Sequence, residues 1–381
     1  MTAAARPPPP SPQCATVSRL FWLAAGLLAY AQAGYPLLLA ALSRGRGRPQ
    51  APQAPGVAAL PDVSFIVAAY NEADVIAAKV ADAFALDYPR ERLEVIVSVD
   101  GATDDTAERA RAAGADVVLE NPRAGKVRAQ DAAVREARGA ILAFSDANAR
   151  WEPGALRALV TAFADPQVGY ACGRVTFVAP DGATNEEGLY WRYEMWLRGM
   201  ESGLSSVTAG NGAIYATRRE SYLEVDPIMG HDLSFPFNMV KRGWRAVDVP
   251  EARATEKMVP TVEGEFARKR RMMSHGWPIV LLGGLADPRG YPPRYALMVL
   301  SHRLLRYGAP FLHVVALLSA RRWALGANLA VLGAAAAGGR AGRAGAVARY
   351  YVLTQASVAL GLWDWVRHGT EAGWEAAEGT R

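Results

Sequence analysis

The chain has 381 residues, more than one compact domain ordinarily holds and enough for one α/β domain plus a membrane part. With 51% hydrophobic residues and a mean hydropathy of +0.02, it is too polar to consist of membrane helices alone and slightly apolar for a soluble enzyme. The net charge of +5 suits anionic headgroups or phosphorylated ligands, and two cysteines, Cys14 and Cys172, far apart in the chain, give no disulfide framework or zinc site.

Residues 1–16 are rich in Ala and Pro and read as a disordered leader. From Leu20 to Leu42 the chain carries no charge, long enough to cross a bilayer, so residues 17–43 are expected to form a transmembrane helix. Ala31-Gln32-Ala33 resembles a signal-peptide cleavage site, but the apolar run continues past it to Leu42. Arg44, Arg46 and Arg48 follow, which by the positive-inside rule puts that end and the next domain in the cytoplasm. Residues 44–60 read as a Pro/Ala/Gly linker.

Three apolar runs, at Val63–Ala68, Leu93–Val99 and Ala140–Phe144, read as buried strands, with a shorter one at Asp116–Leu119 and helical stretches between them. This alternation predicts a mostly parallel sheet, and the first strand lacks a dinucleotide-binding G-x-G-x-x-G. The runs end in Tyr70-Asn71-Glu72, in Asp100 and in Ser145-Asp146-Ala147-Asn148. Carboxylates at the carboxyl edge of such a sheet stand where open α/β folds bind ligands, although each alone would serve as a turn cap. Beyond Trp151 come an expected helix near Ala155–Ala164, a strand near Val168–Val178 and an aromatic helical stretch, Tyr190–Trp196, suited to packing. Residues 276–306 read as interfacial amphipathic helices, because His302, Arg303 and Arg306 are costly in hydrocarbon. Residues 307–366 read as two or three membrane helices, and 367–381 as a tail.

Seven motifs stand in order: Ala69-Tyr70-Asn71-Glu72, Asp100 to Thr106, Ala124-Gly125-Lys126, Asp146-Ala147-Asn148, Gly210-Asn211-Gly212-Ala213, His231-Asp232 and Arg268-Lys269-Arg270-Arg271. Together they resemble the membrane-bound branch of glycosyltransferase family 2, which includes cellulose and hyaluronan synthases and exopolysaccharide transferases. The resemblance covers residues 61–275 and implies a GT-A catalytic domain, Rossmann-like with a mostly parallel sheet, flanked by transmembrane helices. It implies a multi-pass protein of the inner cell membrane with its catalytic domain in the cytoplasm. The implied partners are a UDP-sugar donor, a glycan or polyprenyl-linked acceptor and membrane lipids. Nucleic acid is not expected, having only the basic segment at 268–271 in its favour.

The resemblance gives Ala69, Tyr70, Asn71, Glu72 and Asp100 to the nucleotide base and ribose. Lys126, Arg268 and Arg271 fall to the diphosphate, which cationic side chains suit as point charges or bidentate forks. Asp146 and Asn148 would hold Mg²⁺ or Mn²⁺; Asn148 departs from the family's Asp-x-Asp, but an amide oxygen also ligates a hard cation. Gly210, Asn211 and Gly212 would admit the acceptor, with Asp232 as general base and His231 sharing its proton, orienting it or, as a packing histidine, taking no catalytic part. Met272 stands where the polymer synthases carry Trp. The expectation is therefore an inverting hexosyltransferase of cell-surface polysaccharide synthesis, with a processive β-glycan synthase or a non-catalytic sugar-nucleotide-binding subunit as alternatives.

Overall fold

The computed structural model describes residues 12–44, 60–178, 186–259, 261–319 and 322–373. Most of the expected leader, the linker at 45–59 and the tail from 374 lie outside the described residues; within the expected leader, the chain is already helical from Pro12.

The strands are β1 (Val63–Ala69), β2 (Leu93–Asp100), β3 (Val117–Asn121), β4 (Ile141–Asp146), β5 (Arg150–Trp151), β6 (Val168–Val178), β7 (Ile214–Arg218) and β8 (Arg245–Lys257). They form one sheet in the order β3-β2-β1-β4-β7-β6-β8-β5. The half from β3 to β4 is parallel, as the alternating pattern predicts. The other half corrects that expectation in part, because β7 runs antiparallel to both β4 and β6 and β5 antiparallel to β8, while β6 and β8 pair in parallel. The sheet is thus mixed. β7 and β8 carry charged and small residues between apolar ones, so local pattern alone did not mark them as sheet partners.

Helices α3 (Ile76–Phe84), α4 (Thr106–Ala112), α5 (Lys126–Glu136), α6 (Ala155–Ala162) and α8 (His231–Lys241) cover the sheet. They follow α1 (Pro12–Ala29) and α2 (Tyr35–Arg44), and α7 (Glu186–Leu204) runs between β6 and β7. Phe65, Val67, Val95, Val97 and Ala143 enter the core on one face of the sheet, and Ile66, Ile96, Leu142 and Phe144 on the other. This alternation within continuous apolar runs is that of strands buried on both faces. From β1 the chain steps to β2 and β3 on one side and then returns to β4 on the other. That reversal between β1 and β4 opens a crevice at the carboxyl ends of the strands.

The remaining helices are α9 (Val262–Leu281), α10 (Pro293–Met298), α11 (Leu305–Leu318), α12 (Arg322–Ala337) and α13 (Gly342–His368). Ser18–Arg44 is the one candidate membrane span among the described residues, with 27 residues and a mean hydropathy of 1.4. Its π-helical turn at Tyr30–Gly34 precedes Pro36, which has no amide hydrogen to offer Gln32. The Gln32 carbonyl instead accepts the Tyr193 hydroxyl at 3.3 Å, tying this helix to α7. Helices α11 and α12 have 14 and 16 residues, short of the roughly 20 that a crossing needs. Phe311, Leu318, Leu329 and Leu332 of these helices are exposed, as are Trp22 and Leu37.

In the segment read as interfacial helices, His302 and Arg306 face protein, while Leu297 and Leu300 stay exposed. His302 is 1% exposed and meets the buried Glu201 at 2.7 Å, while Arg306 pairs with Glu194. Burial by itself would raise Glu194, but Arg306 and His302 hold its carboxyl well below the usual range. The basic residues of 302–306 therefore serve the carboxylates of α7, whose positions are remote in sequence.

Candidate active site

Three strand ends meet at the crevice. β1 stops at Ala69 and β2 at Asp100, and Asp146, at the end of β4, lies opposite Ala68 in the parallel ladder. Ala69, Tyr70, Glu72, Asp100, Lys126, Asp146, Asn148, Arg268 and Arg271 line one cavity of about 170 Å³. The expected nucleotide and metal residues are thus brought together, with the exception of Asn71.

Asn71 adopts a left-handed backbone (φ 50°), and its Oδ1 accepts the Thr103 amide at 2.8 Å. Asparagine tolerates this conformation better than most residues. Its task is to clasp the Gly101–Thr106 loop, which Asp104 caps by accepting the Ala73 and Thr106 amides. Asp100 also differs from expectation. Its carboxylate is 2% exposed and accepts the Ala124 amide at 2.7 Å, the Gly125 amide at 3.0 Å and Arg123 Nη1 at 2.7 Å. It therefore builds the turn before Lys126, where Gly125 takes a φ of 95° that only glycine adopts easily. Arg123 lies over the Tyr70 ring, 3.3 Å from its centroid, and the two form one wall of the cavity. Arg123 was not singled out in the sequence, where an arginine in Asn-Pro-Arg-Ala-Gly carries no local signal.

Lys126, the first residue of α5, ion-pairs with Asp146 and reaches the Gly212 carbonyl at 3.4 Å. A Cβ built on Gly212 would lie 3.7 Å from Lys126 Nζ and 3.8 Å from Asp232 Cβ, so the two side chains approach the same glycine. Burial by itself would lower the Lys126 pKa, but Asp146, Asp232 and Glu256 hold it above its ordinary value. Asp232 is not among the residues that line the cavity. Gly210 donates its amide to the Asp232 carbonyl at 2.6 Å, and its carbonyl accepts Arg198 Nη2 at 2.7 Å. A side chain on Gly210 would strike the Tyr170 hydroxyl at 1.8 Å, which explains the glycine. Asn211 spends its Oδ1 on the Ala213 amide at 3.1 Å.

His231 corrects the expectation placed on it. It is buried, stacks on Phe235 with ring centroids 3.9 Å apart, and shares a 2.7 Å hydrogen bond with the Tyr215 hydroxyl. Burial, with the charge of Lys126 next, pushes the imidazole down to about 3, so it stays neutral and packs the core beneath α8. Its alternation with Asp232 on the first turn of that helix puts one side chain inward and the other toward Gly212.

On the opposite wall, Arg268 pairs with Glu265 at 2.8 Å, and Arg271 lies one turn further along α9. Two groups escaped the sequence reading, the half-buried Glu256 and the buried Lys79. Glu256 lines the cavity, and burial followed by the charge of Asp146 pushes its carboxyl up to about 7. Lys79, on α3, is buried over Phe65 and donates to the Ala149 carbonyl at 2.6 Å, gripping the Asp146–Ala149 turn from behind. Burial pushes Lys79 from 10.5 down to about 7. Between these values the unfolded chain binds the extra proton, so Lys79 makes folding stability rise with pH across that window. The melting temperature should accordingly climb less between pH 7 and 10 in Lys79→Met than in the parent, as thermal unfolding followed by circular dichroism would read. Equal climbs would show that Lys79 is not buried.

Residues 64–225 match the family model described as Glycosyl transferase family 2. The chain is 28% identical over 181 residues to Glycosyltransferase AglE of Haloferax volcanii, an alignment that covers 46% of this chain and spans 58% of that protein's length. Its structure is similar to that of the mannosyltransferase PcManGT from Pyrobaculum calidifontis, solved in complex with GDP-Man and Mn²⁺. The TM-score is 0.71 at 24% identity, covering 91% of this chain and 99% of that one, and the likeness is one of fold. Asp146 and Lys126 lie within the segment that matches this family, and with Asp232 they gather where the strands diverge in a fold similar to that of the solved mannosyltransferase.

Proposed function

We propose that the chain is an inverting glycosyltransferase that moves a hexose from a nucleoside-diphosphate sugar to a glycan or lipid-linked acceptor. The observation that carries this reading is that Lys126, ion-paired with Asp146, approaches Gly212 together with Asp232, so that three distant segments meet. The diphosphate would occupy the cavity between Lys126 and the Arg268/Arg271 face, with the base against Tyr70 and Arg123. From the side of Gly210–Gly212, the acceptor hydroxyl would attack the anomeric carbon. Its proton passes to Asp232 as the new C–O bond forms, and the bond to the phosphate breaks with its electron pair leaving on the nucleotide.

The residues present fit a divalent cation, because Asp146 and Asn148 present hard oxygen donors to the same cavity, and Asp146 already draws an ammonium group. Bound there, Mg²⁺ or Mn²⁺ would neutralise charge that grows on the leaving diphosphate. We read residues 61–275 as the catalytic domain and Ser18–Arg44 as the helix that holds it at the inner face of a membrane, with lipids around the apolar helices. UDP-sugars are our first donor class. GDP-mannose is the second, because the PcManGT structure holds it.

Incubating the purified full chain with UDP- and GDP-sugars and membrane glycolipid extract tests the reading through nucleoside-diphosphate release. Release is expected with one donor class, lost in EDTA and restored by Mn²⁺ or Mg²⁺. Full turnover in chelator would remove the metal role of Asp146. No release with any donor would return the chain to a non-catalytic binder.

A further inference from the structure

In the antiparallel ladder between β5 and β8, Arg150 lies opposite Thr255 and Trp151 opposite Ala254. Glu256 is the next residue of β8 beyond Thr255, at the end of the ladder where the Asp146–Ala149 turn enters β5. Glu256 is paired with Phe177 of β6. Its side chain lines the cavity shared by Asp146 and Asn148. Glu256 Oε1 is out of contact with solvent and has no hydrogen-bond partner.

A carboxylate oxygen in that state is unfavourable, and a second carboxylate lining the same cavity makes it more so. The neighbouring cations are committed elsewhere. Lys126 is paired with Asp146, Lys79 donates to the Ala149 carbonyl, and Arg268 is paired with Glu265. An oxygen anion beside the family's metal motif, at the place where that motif lacks its second acid, is a site prepared for a hard cation.

We propose that Glu256 is a ligand of the divalent cation, supplying from β8 the second carboxylate that Asn148 does not. The ligand set would be two carboxylates, Asp146 and Glu256, with the Asn148 amide oxygen and the donor diphosphate completing it. This rests on reading the cavity as a metal and diphosphate site. It goes beyond that reading by placing the missing acid on a strand remote in sequence from the motif.

Mn²⁺ titration of the full chain, followed by electron paramagnetic resonance with UDP or GDP present, tests it. Glu256→Gln keeps the side-chain shape and should weaken Mn²⁺ binding by at least about tenfold, the low end of what even outer-shell changes do to metal affinity. Nucleotide binding without metal, measured by calorimetry, should not weaken, because the change removes a negative charge beside the diphosphate. Asn148→Asp should tighten Mn²⁺ binding in the parent and recover most of the loss in the Glu256→Gln background. The single Asn148→Asp measurement stands even where Glu256→Gln fails to fold, and unchanged Mn²⁺ affinity there would overturn the proposal. So would a Glu256→Gln protein that binds Mn²⁺ as the parent does, or a parent that binds nucleotide but no Mn²⁺. A parent that binds neither nucleotide nor Mn²⁺ would instead overturn the reading of the cavity itself.

Discussion

Asp232→Asn is expected to reduce kcat by about 10²–10⁴, the usual contribution of a positioned general base, while nucleoside-diphosphate affinity stays at the parent value. The separation follows from geometry. Asp232 is not among the residues lining the nucleotide cavity, and it approaches Gly212, as Lys126 does. Asparagine retains the shape of the side chain, and the Asp232 carbonyl still takes the Gly210 amide, so the acceptor loop keeps its place. Under the proposed mechanism, what the variant would lack is a group to take the proton of the attacking hydroxyl. Steady-state release assays paired with calorimetric nucleotide titration read both quantities. A variant that keeps its kcat would remove Asp232 from the chemistry, and one that loses nucleotide binding would show that Asp232 belongs to the donor site.

Asp100→Ala should have the largest effect on donor binding and on stability together. Its carboxylate is buried and satisfies the Ala124 and Gly125 amides and one arm of Arg123. Removing it leaves two main-chain donors and a guanidinium without their acceptor. Breaking a buried ion pair by removing one partner costs about 3–5 kcal/mol, and the half-open position of Arg123 places the expected loss at the lower end of that range. The same turn carries Arg123 against Tyr70 and launches Lys126 toward Asp146, so its release dismantles two walls of the donor cavity at once. Chemical denaturation should report lower stability, and nucleotide titration a loss of affinity larger than the stability change alone would produce at saturating ligand. Asp100→Asn, which retains one acceptor oxygen, should fall between. An Asp100→Ala protein that binds nucleotide normally would show that the turn holds without its carboxylate.

The parallel half of the sheet was legible in the sequence. Val63–Ala69, Leu93–Asp100 and Ile141–Asp146 are near-continuous apolar runs, and only burial on both faces accommodates such runs as strands. A polar residue at the end of each then had to emerge at one edge, which is why Tyr70, Asp100 and Asp146 were found together in the cavity. What each polar group does there was not legible. Asp100 is turned to its own chain, Asn71 clasps a neighbouring loop and His231 sinks among aromatic rings.

By itself, then, the sequence determined where the strands of the parallel half begin and end, and so which residues surround the crevice, because hydrophobic runs and turn residues act locally. Only the tertiary structure decided the mixed order of the remaining strands, the burial of Lys79 behind the Asp146 turn, the pairing of His302 and Arg306 with α7, and the arrival of Glu256 beside Asn148. Those outcomes depend on ladder registers and ion pairs between segments far apart in the chain. A carboxylate in β8 carries no mark of its partner until the sheet closes and solvent leaves the cavity.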